Sequence, residues 1–128
     1  MGVRTMKDVI VWQRVEGGLV FVAALVLYAQ VESVLPWWGA LLVFFAPDLS
    51  FFAYGAGARF GSWIYNLVHV YALGVGLMAL GALLGLPLLA ALGALWLAHS
   101  GFDRMLGYGL KAQTSFKDTH LGRLGKAG

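Results

Sequence analysis

Residues 62–108 read SWIYNLVHVYALGVGLMALGALLGLPLLAALGALWLAHSGFDRMLGY, and apolar side chains dominate this stretch. Near its middle, Gly85, Leu86 and Pro87 form a typical turn sequence, because glycine often ends a helix and proline often begins one. A transmembrane helix needs about 20 mainly apolar residues. The stretch therefore predicts two membrane-spanning helices that run in opposite directions.

The same apolar character extends through the rest of the chain. Of its 128 residues, 60% are apolar and 12% are charged, whereas a soluble domain has roughly 45–50% apolar and about 25% charged residues. The mean hydropathy is +0.78, and a chain this short cannot bury so many apolar side chains by folding on itself. We therefore expect an all-α integral membrane protein, a four-transmembrane-helix bundle that forms a single domain over residues 1–128. The predicted spans are about residues 17–35, 37–54, 62–84 and 87–108, and residues 109–128 are a predicted polar tail.

The positions of the positive charges predict how the chain crosses the membrane. All nine lysines and arginines lie before the first span, in the connection that holds Arg59, or from Arg104 to the carboxyl end. Cytoplasmic segments carry an excess of such residues, so both termini are predicted to be cytoplasmic in a multi-pass protein of the inner (cytoplasmic) membrane. The basic balance is therefore a topology signal, and we expect membrane lipid, not nucleic acid, as a partner.

A group of ionisable residues inside the predicted spans is the main functional signal. At 1.5 Å per residue, His69 and His99 lie roughly 10–13 Å inside the cytoplasmic face, and Asp48 and Asp103 lie in the same layer. Such residues are costly in a membrane and indicate a functional site. His and Asp bind zinc, manganese or iron(II), and the chain has no cysteine to supply a thiolate ligand. We therefore predict a divalent metal site.

Each member of the predicted site receives a role from its residue type and its place in the chain. The predicted metal ligands are His69, His99, Asp103 and, from the tail, His120. The predicted catalytic bases are Asp48 and Asp118. The residues predicted to support the ligands or to hold an anionic head group are Tyr65, Asn66, Ser100, Arg104 and Lys117.

Simpler interpretations of the single residues stay open at this point. His69 alone is equally consistent with a hydrogen bond between helices. Asp48 follows Pro47 and is equally suited to capping the next helical segment. Asp103 has Arg59 as an alternative ion-pair partner. The shared depth of the group is a stronger indication than any one residue.

Four motifs resemble those of a family of small bacterial membrane proteins known as domain of unknown function 4260. They are APDLSFFAYGAG at 46–57, YNLVHVY at 65–71, WLAHSGFDRMLGYGLK at 96–111 and FKDTHLGRLG at 116–125. The resemblance covers nearly the whole chain from Arg14 onward and implies the same fold and site, but no activity. The family motifs contain the equivalents of Asp48, Asn66, His69, His99, Asp103, Lys117, Asp118 and His120.

The leading functional hypothesis is a metal-dependent hydrolase of a lipid or another amphiphilic substrate. Pro-Asp and His motifs at cytoplasmic helix ends are similar, by analogy, to those of small membrane-bound metal-dependent hydrolases. A haem-binding electron carrier with His69 and His99 as axial ligands is an alternative. A small ion or solute transporter subunit and a non-catalytic assembly protein are two more. No nucleophile elbow, phosphate-binding loop or zincin motif favours one enzyme class, and the oligomeric state is left open.

Overall fold

The structure is a computed structural model that describes residues 3–31, 35–108, 118–119 and 122–123, with side chains at 7–31 and 35–108. Helices make up most of the described chain. They are α1 (Val3–Gln30), α2 (Trp37–Phe45), a 3-10 helix (Ala46–Ala56), α3 (Ala58–His69), α4 (Tyr71–Leu84) and α5 (Pro87–Met105). Two short strands, β1 (Asp118–Thr119) and β2 (Gly122–Arg123), pair in antiparallel fashion in the tail.

Two or three segments are long and apolar enough to cross a membrane. Lys7–Gln30 within α1 and Trp37–Ala56 satisfy this by themselves, and α3 with α4 satisfies it when this pair, bent by 46°, counts as one span. The expected all-α architecture is thus confirmed for the described residues apart from the two short strands of the tail, while α5, which corresponds to the fourth predicted span, is not among these segments. Two of the predicted spans are irregular, however. The second changes from α-helix to 3-10 helix at Ala46, and the third is interrupted at Val70.

The first helix begins at Val3, well before the span predicted from Gly17. The intervening residues include Arg4, Lys7 and Glu16, which are good helix formers, and the segment contains no proline. The polar segment therefore continues the helix, and the start of the apolar run is not the start of the helix.

The last helix, α5, is the centre of the molecule and packs between α1 and α4. Small residues make this close packing feasible. A Cβ atom added at Gly101 would lie 2.6 Å from the Phe21 nitrogen and 2.7 Å from the Gly17 oxygen, and one at Gly93 would lie 2.7 Å from the Gly74 oxygen. The buried apolar residues of α5 are Ala91, Ala94, Leu95, Leu97 and Ala98.

A tight turn reverses the chain between α4 and α5. Gly85 has a left-handed backbone (φ 65°), and the Leu86 N–H donates to the Gly81 carbonyl at 2.8 Å, which closes the end of α4. Pro87 then begins α5, where its missing N–H costs nothing. This turn places the carboxyl half of α5 beside the junction of α3 and α4.

Candidate metal centre

Four side chains from three segments converge on one point. His69 Nε2 and His99 Nε2 lie 3.2 Å apart. Asp103 Oδ2 lies 3.4 Å from His69 Nε2 and 3.2 Å from His99 Nε2. Asp48 Oδ1 lies 3.7 Å from His69 Nε2 and 3.1 Å from His99 Nε2. The predicted His/Asp group is therefore confirmed as a geometric cluster.

The spacing of these atoms matches the ligand shell of a small divalent ion. With bonds of about 2.0–2.1 Å, the ligands of a tetrahedral zinc ion lie about 3.3–3.4 Å from one another. Five of the six ligand-to-ligand distances here fall between 3.1 and 3.7 Å. All four atoms lie within 4.8 Å of one another. The cluster thus has the dimensions of a four-ligand site.

His69 is held in the orientation that a metal ligand requires. Its Nδ1–H donates to the Tyr65 carbonyl at 2.8 Å. A carbonyl only accepts, so Nδ1 carries a proton, and Nε2 is the ring nitrogen that faces the cluster. The Tyr65 ring stacks on the imidazole at 3.8 Å, which further restricts its rotation. A histidine bound to metal usually donates its other N–H to a carbonyl or carboxylate in this way.

His99 also directs Nε2 into the cluster, but its other nitrogen lies in apolar surroundings. No hydrogen-bond partner reaches its buried Nδ1 among the described residues. The Phe44 ring lies edge-on to the imidazole, with centroids 5.4 Å apart. Phe44 in turn contacts Phe21 and Phe102, so an aromatic wall closes this side of the centre.

Asp48 differs from the other three members in its exposure and in the helix that carries it. Its side chain is 56% exposed, whereas that of Asp103 is 13% exposed and both imidazoles are buried. Asp48 lies in the first turn of the 3-10 helix, directly after Pro47. Proline has no N–H to continue the α-helical bonding of α2, and the Ala46 N–H bonds instead to the Val43 carbonyl, three residues back. The tighter helix begins there, so the bend that presents Asp48 is set by the sequence.

Among the side chains that the structure describes, the two carboxylates have no basic partner other than the histidines. Within residues 7–31 and 35–108, no lysine or arginine forms an ion pair with Asp48 or Asp103. Asp103 is largely buried, and a carboxylate in such a position requires a cation or a bound proton. The charge of the cluster, like its geometry, therefore suits a divalent ion.

The supporting residues predicted from the sequence take different positions around the cluster. The Ser100 hydroxyl donates to the Trp96 carbonyl of its own helix at 3.3 Å. The backbone carbonyl of Asn66 accepts from the Val70 N–H. Arg104 is 6% exposed and donates to the His69 carbonyl at 2.8 Å. Asp118 is described only as part of strand β1, and Lys117 and His120 lie outside the described residues.

Sequence reasoning did not select Trp96 and Phe44, which the structure brings to the centre. The Trp96 indole N–H donates to the Val68 carbonyl at 2.8 Å, one residue before His69. A signal for Trp96 was present, because it precedes His99 by three residues and so shares a helix face with it. Phe44 carries no such signal, since its contact with His99 joins two distant helices.

The fold and the cluster define a helical protein that has two or three segments apolar enough to cross a membrane and a His/Asp centre shared by the 3-10 helix, α3 and α5. The chain belongs to the family described as a domain of unknown function, DUF4260, whose model matches residues 10–124. No curated protein and no solved structure matches the chain.

Proposed function

We propose that this protein is a membrane metalloenzyme that binds one divalent ion through His69, His99, Asp103 and Asp48. The observation that carries the proposal is the orientation of His69, whose Nδ1–H bond to the Tyr65 carbonyl leaves Nε2 free to bind an ion. The near-tetrahedral spacing and the ligand types favour zinc, with manganese and iron(II) as the other candidates. An ion of charge +2 also balances both carboxylates.

The proposed setting is the inner (cytoplasmic) membrane, with four spans and both termini in the cytoplasm. The distribution of lysine and arginine supports this orientation. The 19 residues of α5 extend about 28 Å, close to the thickness of the hydrocarbon core. Exposed apolar side chains on α1 and α2, such as Leu19 and Leu42, suit contact with lipid.

The proposed reaction is hydrolysis of an amphiphilic substrate. A divalent ion supplies a Lewis acid that polarises the scissile group and lowers the pKa of a bound water. Asp48 is the only exposed member of the four-residue centre. As the accessible ligand, Asp48 would give up its position on the ion to the attacking water and accept that water's proton as general base. The water oxygen would then bond to the scissile carbon or phosphorus, and the leaving oxygen would depart with that proton.

The surroundings of Asp48 support an amphiphile as the substrate. Leu49, Phe51 and Phe52, which follow Asp48 in the 3-10 helix, are each at least half exposed. The exposed edge of the centre is thus bordered by apolar side chains, which suit acyl chains better than water. The proposal places the polar head of the substrate at Asp48 and its apolar part against these residues.

A second candidate function is a proton relay, as in a transporter subunit. The observation that favours it is the buried Nδ1 of His99, which lacks the partner that a metal-bound histidine usually has. Two imidazoles and two carboxylates in contact can also pass protons without an ion. The haem alternative has less support, because a porphyrin iron would have to lie between the two imidazole Nε2 atoms, which are 3.2 Å apart with the Asp48 and Asp103 carboxylates beside them.

The first test is elemental analysis of the detergent-purified protein together with its His99→Ala variant. We expect about one zinc, manganese or iron per chain in the wild type and none in the variant, whose helical circular dichroism should be unchanged. His120→Ala is tested in parallel, since His120 was also a predicted ligand. A protein that stays free of metal after incubation with each ion refutes the metal centre and leaves the proton relay.

A further inference from the structure

The third predicted span is broken next to a proposed metal ligand, and the break has no local cause in the sequence. Helix α3 ends at His69, Val70 has an extended backbone (ψ 151°), and α4 begins at Tyr71. Breaks in helices usually occur at proline, at glycine or at inserted side chains. Neither proline nor glycine is present at this position, so contacts from elsewhere in the molecule must stabilise the break.

A broken helix leaves backbone carbonyls without their usual donors, and two side chains of α5 provide replacements here. The Arg104 Nη2–H donates to the His69 carbonyl at 2.8 Å. The Trp96 indole N–H donates to the Val68 carbonyl, also at 2.8 Å. Both acceptors lie in the last two residues of α3, where the backbone orients the His69 side chain.

Arg104 is itself fixed on several sides. Its guanidinium is 5.3 Å from the centre of the Tyr71 ring, and its Nη1–H donates to the Tyr108 carbonyl at 3.3 Å. The side chain therefore contacts residues on both sides of the break, His69 before it and Tyr71 after it. Burying a guanidinium is costly, and this arrangement compensates for that cost with two hydrogen bonds and a cation–π contact.

We propose that Arg104 and Trp96 are positioning residues that hold the α3–α4 break so that the His69 imidazole faces His99. This inference rests on the proposed metal centre, to which it adds the residues that set its geometry. Helix α5 carries both positioning residues, Trp96 and Arg104, and also two of the proposed ligands, His99 and Asp103. The helix that supplies two ligands thus also fixes the backbone that carries the third.

The planar guanidinium suits this role better than an ammonium group. Arginine presents several N–H donors in a fixed fork and stacks on aromatic rings, whereas lysine offers a single mobile nitrogen. One guanidinium bridges the carbonyls of His69 and Tyr108. A lysine at position 104 can keep one of these contacts, so we expect it to restore the geometry only in part.

The test measures cobalt(II) affinity and the cobalt ligand-field spectrum in Arg104→Gln, Arg104→Lys and Trp96→Phe. Loss of a residue that orients a metal ligand typically weakens affinity about 10- to 100-fold. We expect that loss and an altered spectrum in Arg104→Gln, with intermediate values for Arg104→Lys. Trp96→Phe keeps most of the ring and removes only the donor, so it gives a second reading if Arg104→Gln folds poorly. Arg14→Gln is the matched control, because Arg14 also donates to a backbone carbonyl, that of Met105 in α5 at 3.0 Å, and not to a carbonyl of the broken α3.

The outcomes separate this inference from the proposed function. Wild-type affinity and spectrum in all three variants, even with lower thermal stability, overturn the positioning role and leave the metal centre intact. Failure of the wild type to bind any ion refutes the metal centre instead. In that case the imidazole ¹⁵N shifts of His69 test the positioning role, and we expect them to change in Arg104→Gln but not in Arg14→Gln. Unchanged shifts in both would overturn the inference.

Discussion

The two carboxylates of the centre should contribute unequally to ion binding, and replacing each by its amide measures the difference. Asp103 is 13% exposed and lies 3.2 and 3.4 Å from the two imidazole nitrogens, whereas Asp48 is 56% exposed. Structural zinc sites bind with about 10–16 kcal/mol of apparent free energy. Divided among four ligands, this is about 2.5–4 kcal/mol each, or about 100- to 1,000-fold in Kd.

In Asp103→Asn we expect the full loss of ion affinity, about 100- to 1,000-fold, because little space exists for water to replace its carboxylate. In Asp48→Asn the loss should be about tenfold, since water can take the open position as it does at catalytic zinc sites. Competition with a chromophoric chelator in detergent gives both constants. Asp8→Asn is the control, because Asp8 is an exposed acid on α1 away from the cluster. Equal losses in the two variants, or wild-type affinity in Asp103→Asn, would refute this reasoning.

The helix packing, the histidine ligands and the membrane topology can each be tested separately. Gly101→Ala should lower the free energy of unfolding by about 1–3 kcal/mol, because the added Cβ would meet the backbone of α1. Gly76→Ala is the control and should not destabilise the protein, since nothing lies within 4 Å of a Cβ added there. Equal melting temperatures of the two variants would contradict the close packing of α5. Metal affinity, measured by chelator competition from pH 8 to 5, should fall toward low pH, because an ion can bind only to a ring nitrogen that carries no proton. An affinity independent of pH would contradict histidine ligation. The proposed topology puts the connection at Leu86 outside the cytoplasm and the connection at Ala56 inside it. An impermeant maleimide added to intact cells should therefore label Leu86→Cys but not Ala56→Cys in this otherwise cysteine-free chain. The reverse pattern would invert the proposed topology.

The general location of the centre could be predicted from the sequence because helix geometry converts residue number into depth. Seven residues from the predicted start of the third span placed His69 at the level of His99, and the two Nε2 atoms lie 3.2 Å apart. For Asp48, the sequence left capping and ligation equally open. Its Oδ1 lies 3.1 Å from His99 Nε2, which favours ligation.

Other features could not be predicted, because they depend on contacts between helices that are distant in the chain. The break at Val70 has no proline or glycine to mark it, and its stabilising donors lie 28 and 35 residues after the Val68 and His69 carbonyls that they bond. Arg104 looked from the sequence like a residue for anionic head groups. In the structure it is nearly buried and bonds to the backbone carbonyls of His69 and Tyr108.

Protons and a divalent ion compete for the same four atoms, so the two candidate functions correspond to two occupants of one site. Without an ion, the two carboxylates need positive charge nearby. The 3.2 Å between the His69 and His99 Nε2 atoms leaves room for one proton between them, and not for two N–H groups pointing at each other. The pair supplies that positive charge only when one ring is an imidazolium, and ion binding should then release about one proton, whereas a proton on Nε2 of a neutral His99 ring would move to Nδ1 instead. Titration calorimetry in buffers of different ionisation enthalpy measures that number. Binding without proton release would mean that the imidazoles are already neutral in the ion-free protein, and it would weaken the case for a proton relay.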